Sequence, residues 1–113
     1  MIYDPLSIVI VPFPFTDKVQ TKRRPALVLS NKQHQNETGH VSLLMVTSAK
    51  KSAWKSDYSI EDMQSTGLNS PSIIRQKIFT VDSRLVIECI GELSGHDAIN
   101  VKKVLSEHLS IKQ

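Results

Sequence analysis

Until about residue 90 the apolar residues of this chain fall in short, β-branched runs, and beyond residue 97 they recur at helical spacing. That change of period constrains the fold more than any other feature. Ser7-Ile8-Val9-Ile10-Val11 reads as a strand buried on both faces and stopped by Pro12. The two prolines of Pro12-Phe13-Pro14-Phe15-Thr16-Asp17 lack donors, so that stretch is not a regular central strand. Residues 16–24 read as an exposed loop, Pro25 to Ser30 as a second strand with proline at its start, 31–40 as polar loop, and Val41 to Thr47 as a third strand. Asp57-Tyr58-Ser59-Ile60 suggests a short strand, and Glu61 to Ser65 a helical turn stopped near Gly67. Ser72 to Asp82 and Arg84 to Ile90 are the last two strand candidates.

Val101, Val104, Leu105, His108 and Leu109 then make the i, i+3, i+4, i+7, i+8 stripe of an amphipathic helix. Ser94 and Asp97 resemble a capping box at its start, with Asp97 well placed against the helix dipole. Five or six short strands and one terminal helix predict a mainly β fold: a small, mostly antiparallel barrel with a C-terminal α-helix packed on it. At 113 residues the chain has room for one domain, 1–113. With 5% aromatic residues its core must be mostly aliphatic. A domain of this size often gains stability by oligomerising.

No apolar run approaches the roughly 20 residues of a membrane helix, and Met1 to Leu6 has no signal-peptide pattern, so a cytoplasmic location is expected. The single cysteine, Cys89, excludes an internal disulfide and reads as a buried, unreactive strand residue. His34, His40, His96 and His108 have no companions at metal-ligand spacing, so neither a metal nor another cofactor is expected. His108, on the apolar stripe, reads as a core or interface residue. There is no Gly-rich phosphate loop, and nothing singles out a Ser-His-Asp triad.

The net charge is only +3, but it is unevenly spread. Lys18, Lys22, Arg23 and Arg24 form one cluster, and Lys50, Lys51 and Lys55 another; together they hold seven of the 14 basic residues and no acid. The remaining seven bases face 11 acids, a charge of −4. Two basic loops on an acidic body point to a polyanion site, against the alternative of two solvated loops.

Several stretches, in order along nearly the whole chain, resemble the PemK/MazF toxin family. They are Val11-Pro-Phe-Pro-Phe-Thr-Asp17, Lys22-Arg-Arg-Pro-Ala-Leu-Val-Leu-Ser30, Val46-Thr-Ser48, and a middle segment with Trp54, Asp57 to Asp62, Gly67-Leu68 and Pro71-Ser-Ile-Ile-Arg75. Lys77-Ile-Phe-Thr-Val-Asp82 and Ile90-Gly-Glu-Leu-Ser94 complete the series. The resemblance implies a twisted, SH3-like barrel, usually a homodimer. It also implies the toxin of a type II toxin–antitoxin system: an endoribonuclease that cuts single-stranded RNA without metal, leaving a 2′,3′-cyclic phosphate and a 5′-hydroxyl. A cognate antitoxin would block its RNA groove.

Such cleavage needs deprotonation of the ribose 2′-hydroxyl, stabilisation of charge on the phosphate, and a partner for the departing 5′-oxygen. By resemblance, Arg24 and Thr47 take the catalytic positions. The planar fork of Arg24 suits a phosphate, and Thr47 offers a short, stiff hydroxyl donor. Residue chemistry alone would read the two as a solvated arginine and a strand-end threonine. Lys22, Arg23, Ser48, Lys50 and Lys51 are candidate groove residues, with Arg75 and Lys77 as further phosphate contacts or plain exposed strand charges. Some relatives use an arginine and an acid two positions on as an acid–base pair; Arg75-Gln76-Lys77 has no acid there. Trp54 could stack a base, but a ring capping the core is the preferred reading. The alternative function is a non-catalytic toxin of the same fold that binds a protein target such as DNA gyrase. A weaker third is an RNA-binding module without cleavage.

Overall fold

Strict alternation along the central strands gives the sheet two buried faces. Val9, Val11, Ala26, Val28, Val41, Leu43 and Val81 belong to one apolar cluster, and their neighbours Ile8, Leu27, Leu44, Val46 and Ile74 to another. A computed structural model describes residues 1–13 and 22–110, so Pro14 to Asp17 and Lys18 lie outside the described residues. The elements are β1 (Ser7–Phe13), β2 (Lys22–Val28), α1 (Lys32–Thr38), β3 (His40–Ser48), β4 (Tyr58–Ser59), β5 (Ser72–Asp82), β6 (Glu88–Glu92) and α2 (Gly95–His108). The strands form one antiparallel sheet in the order β4-β5-β3-β2-β1-β6. It curls into a half-barrel with β4 and β6 as its edges, in agreement with the expected mainly β fold and C-terminal helix. Among the described residues no helix is long and apolar enough to cross a membrane.

Several expectations need correcting. Residues 31–40 are not loop. They hold α1, capped by Asn31, whose side chain accepts from the His34 N–H at 2.8 Å, and ended by Gly39 at φ +70°. β2 begins at Lys22, so Arg24 lies within a strand and Pro25 in its middle. Pro12 and Phe13 still belong to β1, opposite Arg23 and Lys22. Cys89 is exposed, because β6 is an edge strand whose pairing with β1 shifts register there. His108 is also exposed, its ring against the Val104 carbonyl at 2.8 Å.

The turn after β4 closes the gap between the sheet's two edges. Glu92 donates its N–H to the Ser65 carbonyl at 3.0 Å, and Ser65 Oγ donates to the Glu92 carbonyl at 2.9 Å. The approach depends on two glycines. A Cβ on Gly67, which has φ +74°, would stand 2.2 Å from the Ile90 carbonyl oxygen, and one on Gly91 2.4 Å from that of Ser65. Asp97, in the first turn of α2 and fully buried, fixes the start of this turn. Its carboxylate accepts from Tyr58 Oη at 2.5 Å, the N–H groups of Glu61 and Asp62 at 3.1 and 2.9 Å, and Ser94 Oγ at 3.3 Å. Burial alone would raise its pKa, but these donors hold it below the usual carboxylate range.

Asp97→Ala should therefore cost about 3 kcal/mol or more, because it strands several partly buried donors at once. Urea unfolding against the parent checks this. A loss under about 1 kcal/mol, the scale of one ordinary hydrogen bond, would show that Asp97 does not bolt the helix to the turn.

Candidate nucleic-acid interface

β2 and β3 pair over only three positions, Ala26↔Met45, Leu27↔Leu44 and Val28↔Leu43. Beyond them the strands part. Residues 22–25 stay paired with β1, and 46–48 with β5. Pro25 sits where the ladder ends and has no N–H to offer a partner. A cleft of about 340 Å³ opens in this fork. Arg23, Arg24 and Pro25 line one side, Thr47, Ser48 and Lys51 the other, and Gly67 to Ser70 form a wall. Ile10, Val46 and Ile90 supply apolar surface.

The structure thus brings Arg23, Arg24, Thr47, Ser48 and Lys51 together, from segments separate in sequence. Thr47 is 5% exposed, and its hydroxyl has no hydrogen-bond partner among the described residues. A buried hydroxyl left unsatisfied in this way is uncommon and costly. Ser48 Oγ accepts from the Lys50 N–H at 3.3 Å and starts a single 3₁₀ turn, Ala49–Lys51, that delivers Lys51 to the cleft. The lining carries three cations and, among the described residues, no carboxylate. Lys22, Lys50, Arg75 and Lys77 are not part of it.

Arg75 has a different environment. β5 carries two extra residues opposite β3: Leu44 pairs with Ile78 and Met45 with Arg75, so Gln76 and Lys77 bulge out. Arg75 itself grips Asp57, Nε to Oδ1 at 3.0 Å and Nη2 to Oδ2 at 2.9 Å. It also donates to the Lys51 carbonyl at 3.0 Å. Asp57 accepts in turn from the Ala53 and Trp54 N–H groups, each at 3.0 Å. The Arg75 hydrogen bonds bring the Asp57 pKa down from 3.8 to about 2, against the upward effect of burial and with help from those two N–H groups. Trp54 is not in the core: its ring lies under the Arg75 guanidinium, 4.8 Å from centroid to Cζ, and is 46% exposed. Sequence reasoning missed Asp57 as the organiser of this loop, because its partner stands 18 residues away across a bulge.

The fold also gathers Glu61, His96 and Asp97, whose ligand-type atoms lie within 4.8 Å of one another. Histidine spacing gave no hint of that group. His96 is paired with Glu61, and the Asp97 oxygens are taken by the donors described above. None of the three lines the cleft.

The family model of PemK-like, MazF-like toxins of type II toxin–antitoxin systems matches residues 4–109. The chain belongs to this family. Solved structures of similar fold include a MazF from Deinococcus radiodurans, with TM-score 0.76, 23% identity, 98% of this chain and 99% of that chain covered. A MazE–MazF complex from the same organism has TM-score 0.76 and 22% identity, with 99% of each chain covered. The Mycobacterium tuberculosis toxin MazF-mt6 has TM-score 0.74 and 18% identity, over 95% of this chain and 99% of that chain. No curated protein matches the chain.

The Arg75–Asp57 pair of this MazF-like toxin makes a pH-dependent contribution to stability. A depressed carboxylate pKa stabilises the fold fully above its unfolded value of 3.8, and the benefit is lost as pH falls toward about 2. Asp57→Asn should therefore melt below the parent at pH 7, and the gap should close between about pH 4 and pH 2. A gap independent of pH across that window would mean the loss is one of packing and not of charge.

Proposed function

We propose that this MazF-like toxin is an endoribonuclease that cuts single-stranded RNA at short sequences without a metal. The observation that carries the reading is the buried, unpartnered Thr47 hydroxyl in a cleft with Arg23, Arg24 and Lys51. A phosphodiester fits such a site, since its oxygens accept from the hydroxyl and from the guanidinium fork. The cations draw in the strand, and Arg24 and Thr47 act where charge builds on the phosphorane oxygens. The ribose 2′-oxygen bonds to phosphorus and gives up its proton to water as the bond to the 5′-oxygen breaks. That oxygen takes a proton from water. The products are a 2′,3′-cyclic phosphate and a 5′-hydroxyl. Arginine gives up a proton too reluctantly to be the acid, so its role is electrostatic. DNA lacks the attacking hydroxyl and would not be cut.

The same cleft supports a reading of the partner. We propose a homodimer whose cognate antitoxin lays an acidic, extended segment over these cations in competition with RNA. The cations of the cleft support this, as does the likeness to a MazE–MazF complex.

The test is cleavage of a mixed-sequence RNA in EDTA. Arg24→Ala and Thr47→Ala should each slow single-turnover cleavage by about 10²–10³, the usual cost of one preorganised donor. Thr47→Ala should bind RNA almost as the parent does, and Thr47→Ser should keep much of the rate. Activity that returns only on adding Mg²⁺, products with a 5′-phosphate, or a folded Arg24→Ala protein at parental rate would each overturn the assignment. Saturating antitoxin that leaves RNA binding intact would overturn the shared cleft.

A further inference from the structure

The chain's only tryptophan is held in water by a frame built for it. Exposing nearly half of an indole is unfavourable unless something else requires it. Here the exposed ring rests on an ion pair that is itself well covered, with side-chain exposures of 14% for Arg75 and 1% for Asp57. Two hydrogen bonds join that pair, and three more tie the backbone of Lys51, Ala53 and Trp54 to it. The guanidinium stands over one face of the ring, and nearly half of the residue remains exposed to solvent. Lys51, at the start of the same frame, lines the cleft. A phosphate held there would bring a neighbouring nucleotide to the indole.

We propose that Trp54 is a base-stacking platform at the mouth of the cleft, and that Arg75 is the residue that positions it. This rests on single-stranded RNA being the ligand of the cleft. A base on the face opposite the guanidinium would complete a base–indole–guanidinium stack, in which the cation strengthens the ring's contacts. Arg75 does not contact phosphate in this arrangement: Nε and Nη2 are committed, and Asp57 neutralises the charge. Lysine could not take its place, since only a planar fork can grip a carboxylate and lie on a ring together. Stacking is tolerant of base identity, so the platform would set affinity and the placement of the strand, leaving sequence choice to other groups.

A sole tryptophan makes the platform directly observable. The probe is a mixed-sequence 2′-O-methyl RNA 12-mer, which cannot be cleaved, beside an abasic oligomer of the same length. Binding is followed by anisotropy and stacking by indole fluorescence. The base-bearing oligomer should bind and quench Trp54 strongly, while the abasic one should bind about tenfold more weakly, the scale of one lost stack, and leave emission unchanged. Trp54→Ala, which removes an exposed ring and opens no core, should weaken the base-bearing oligomer by about the same factor. Arg75→Ala and Arg75→Lys should lose most of the quench. In the Trp54→Ala background Arg75→Ala should cost little more, and the salt slope should not change. Binding of both oligomers without quench would overturn the platform and leave the RNA reading standing. Additive losses with a slope shallower by about 0.7 would make Arg75 a phosphate contact instead. If neither oligomer binds, the RNA reading fails and the platform with it.

Discussion

The site depends on a ladder that stops early. β2 and β3 share three residue pairs and then separate, although each remains fully paired on its other side. A sheet that stayed zipped would fill the space the cleft occupies with side chains from both strands. Instead the facing edges of 22–25 and 46–48 are free to line a groove. Pro25 makes the parting inexpensive, because the ladder ends at a residue with no donor to lose. The rest of the fold keeps the fork open. Both apolar clusters draw on β1, β2 and β3, so neither strand can swing without breaking packing on two faces.

Three loops are each held by a single polar side chain in addition to their apolar contacts. Asp97 holds the turn that becomes the cleft wall. Asp57 holds the 51–57 loop. Gln35, buried in α1, clamps both backbone groups of Tyr3, at 2.8 Å each, and the Ser30 carbonyl at 2.9 Å. Buried polar groups of this kind are costly when unmatched and specific when matched. That suits a small domain with few aromatic residues, where apolar contacts alone would leave such loops several alternative placements.

This division explains what could be read from the sequence. Strands whose order came from period-2 alternation and β-branched runs were legible: β1, β3 and β5, and the C-terminal helix with its Ser94 cap. Elements fixed by one polar contact at long range were not. α1 has no apolar stripe, and its only buried residue is Gln35, so only Asn31 and Gly39 at its ends marked it. Cys89 sits in an apolar run yet faces outward, because edge position is a property of the assembled sheet. Trp54 looks like core material by size, and its true place follows from Arg75, which a two-residue bulge brings to it. Within the site, Arg24 and Thr47 were marked by family resemblance, not by their chemistry. The remote residues of the wall, Gly67 to Ser70, left only the glycine as a signal.

The two arginines at this end of the molecule show why charge counts along a sequence mislead. Both stand near basic loops, and both would serve as a phosphate fork. Arg75 faces a carboxylate with 1% exposure, so its field largely ends there and its donors are spent on the frame. Arg24 shares a lining with Arg23 and Lys51 and, among the described residues, no acid. Like charges gathered in a concave, partly apolar fork reinforce one another, and that focuses potential into the groove. The net charge of +3 therefore understates the pull on an anion at the cleft, because no acid among the described residues lines it. What sets Arg75 apart is its grip on a buried carboxylate, and the bulge in β5 brings the two together.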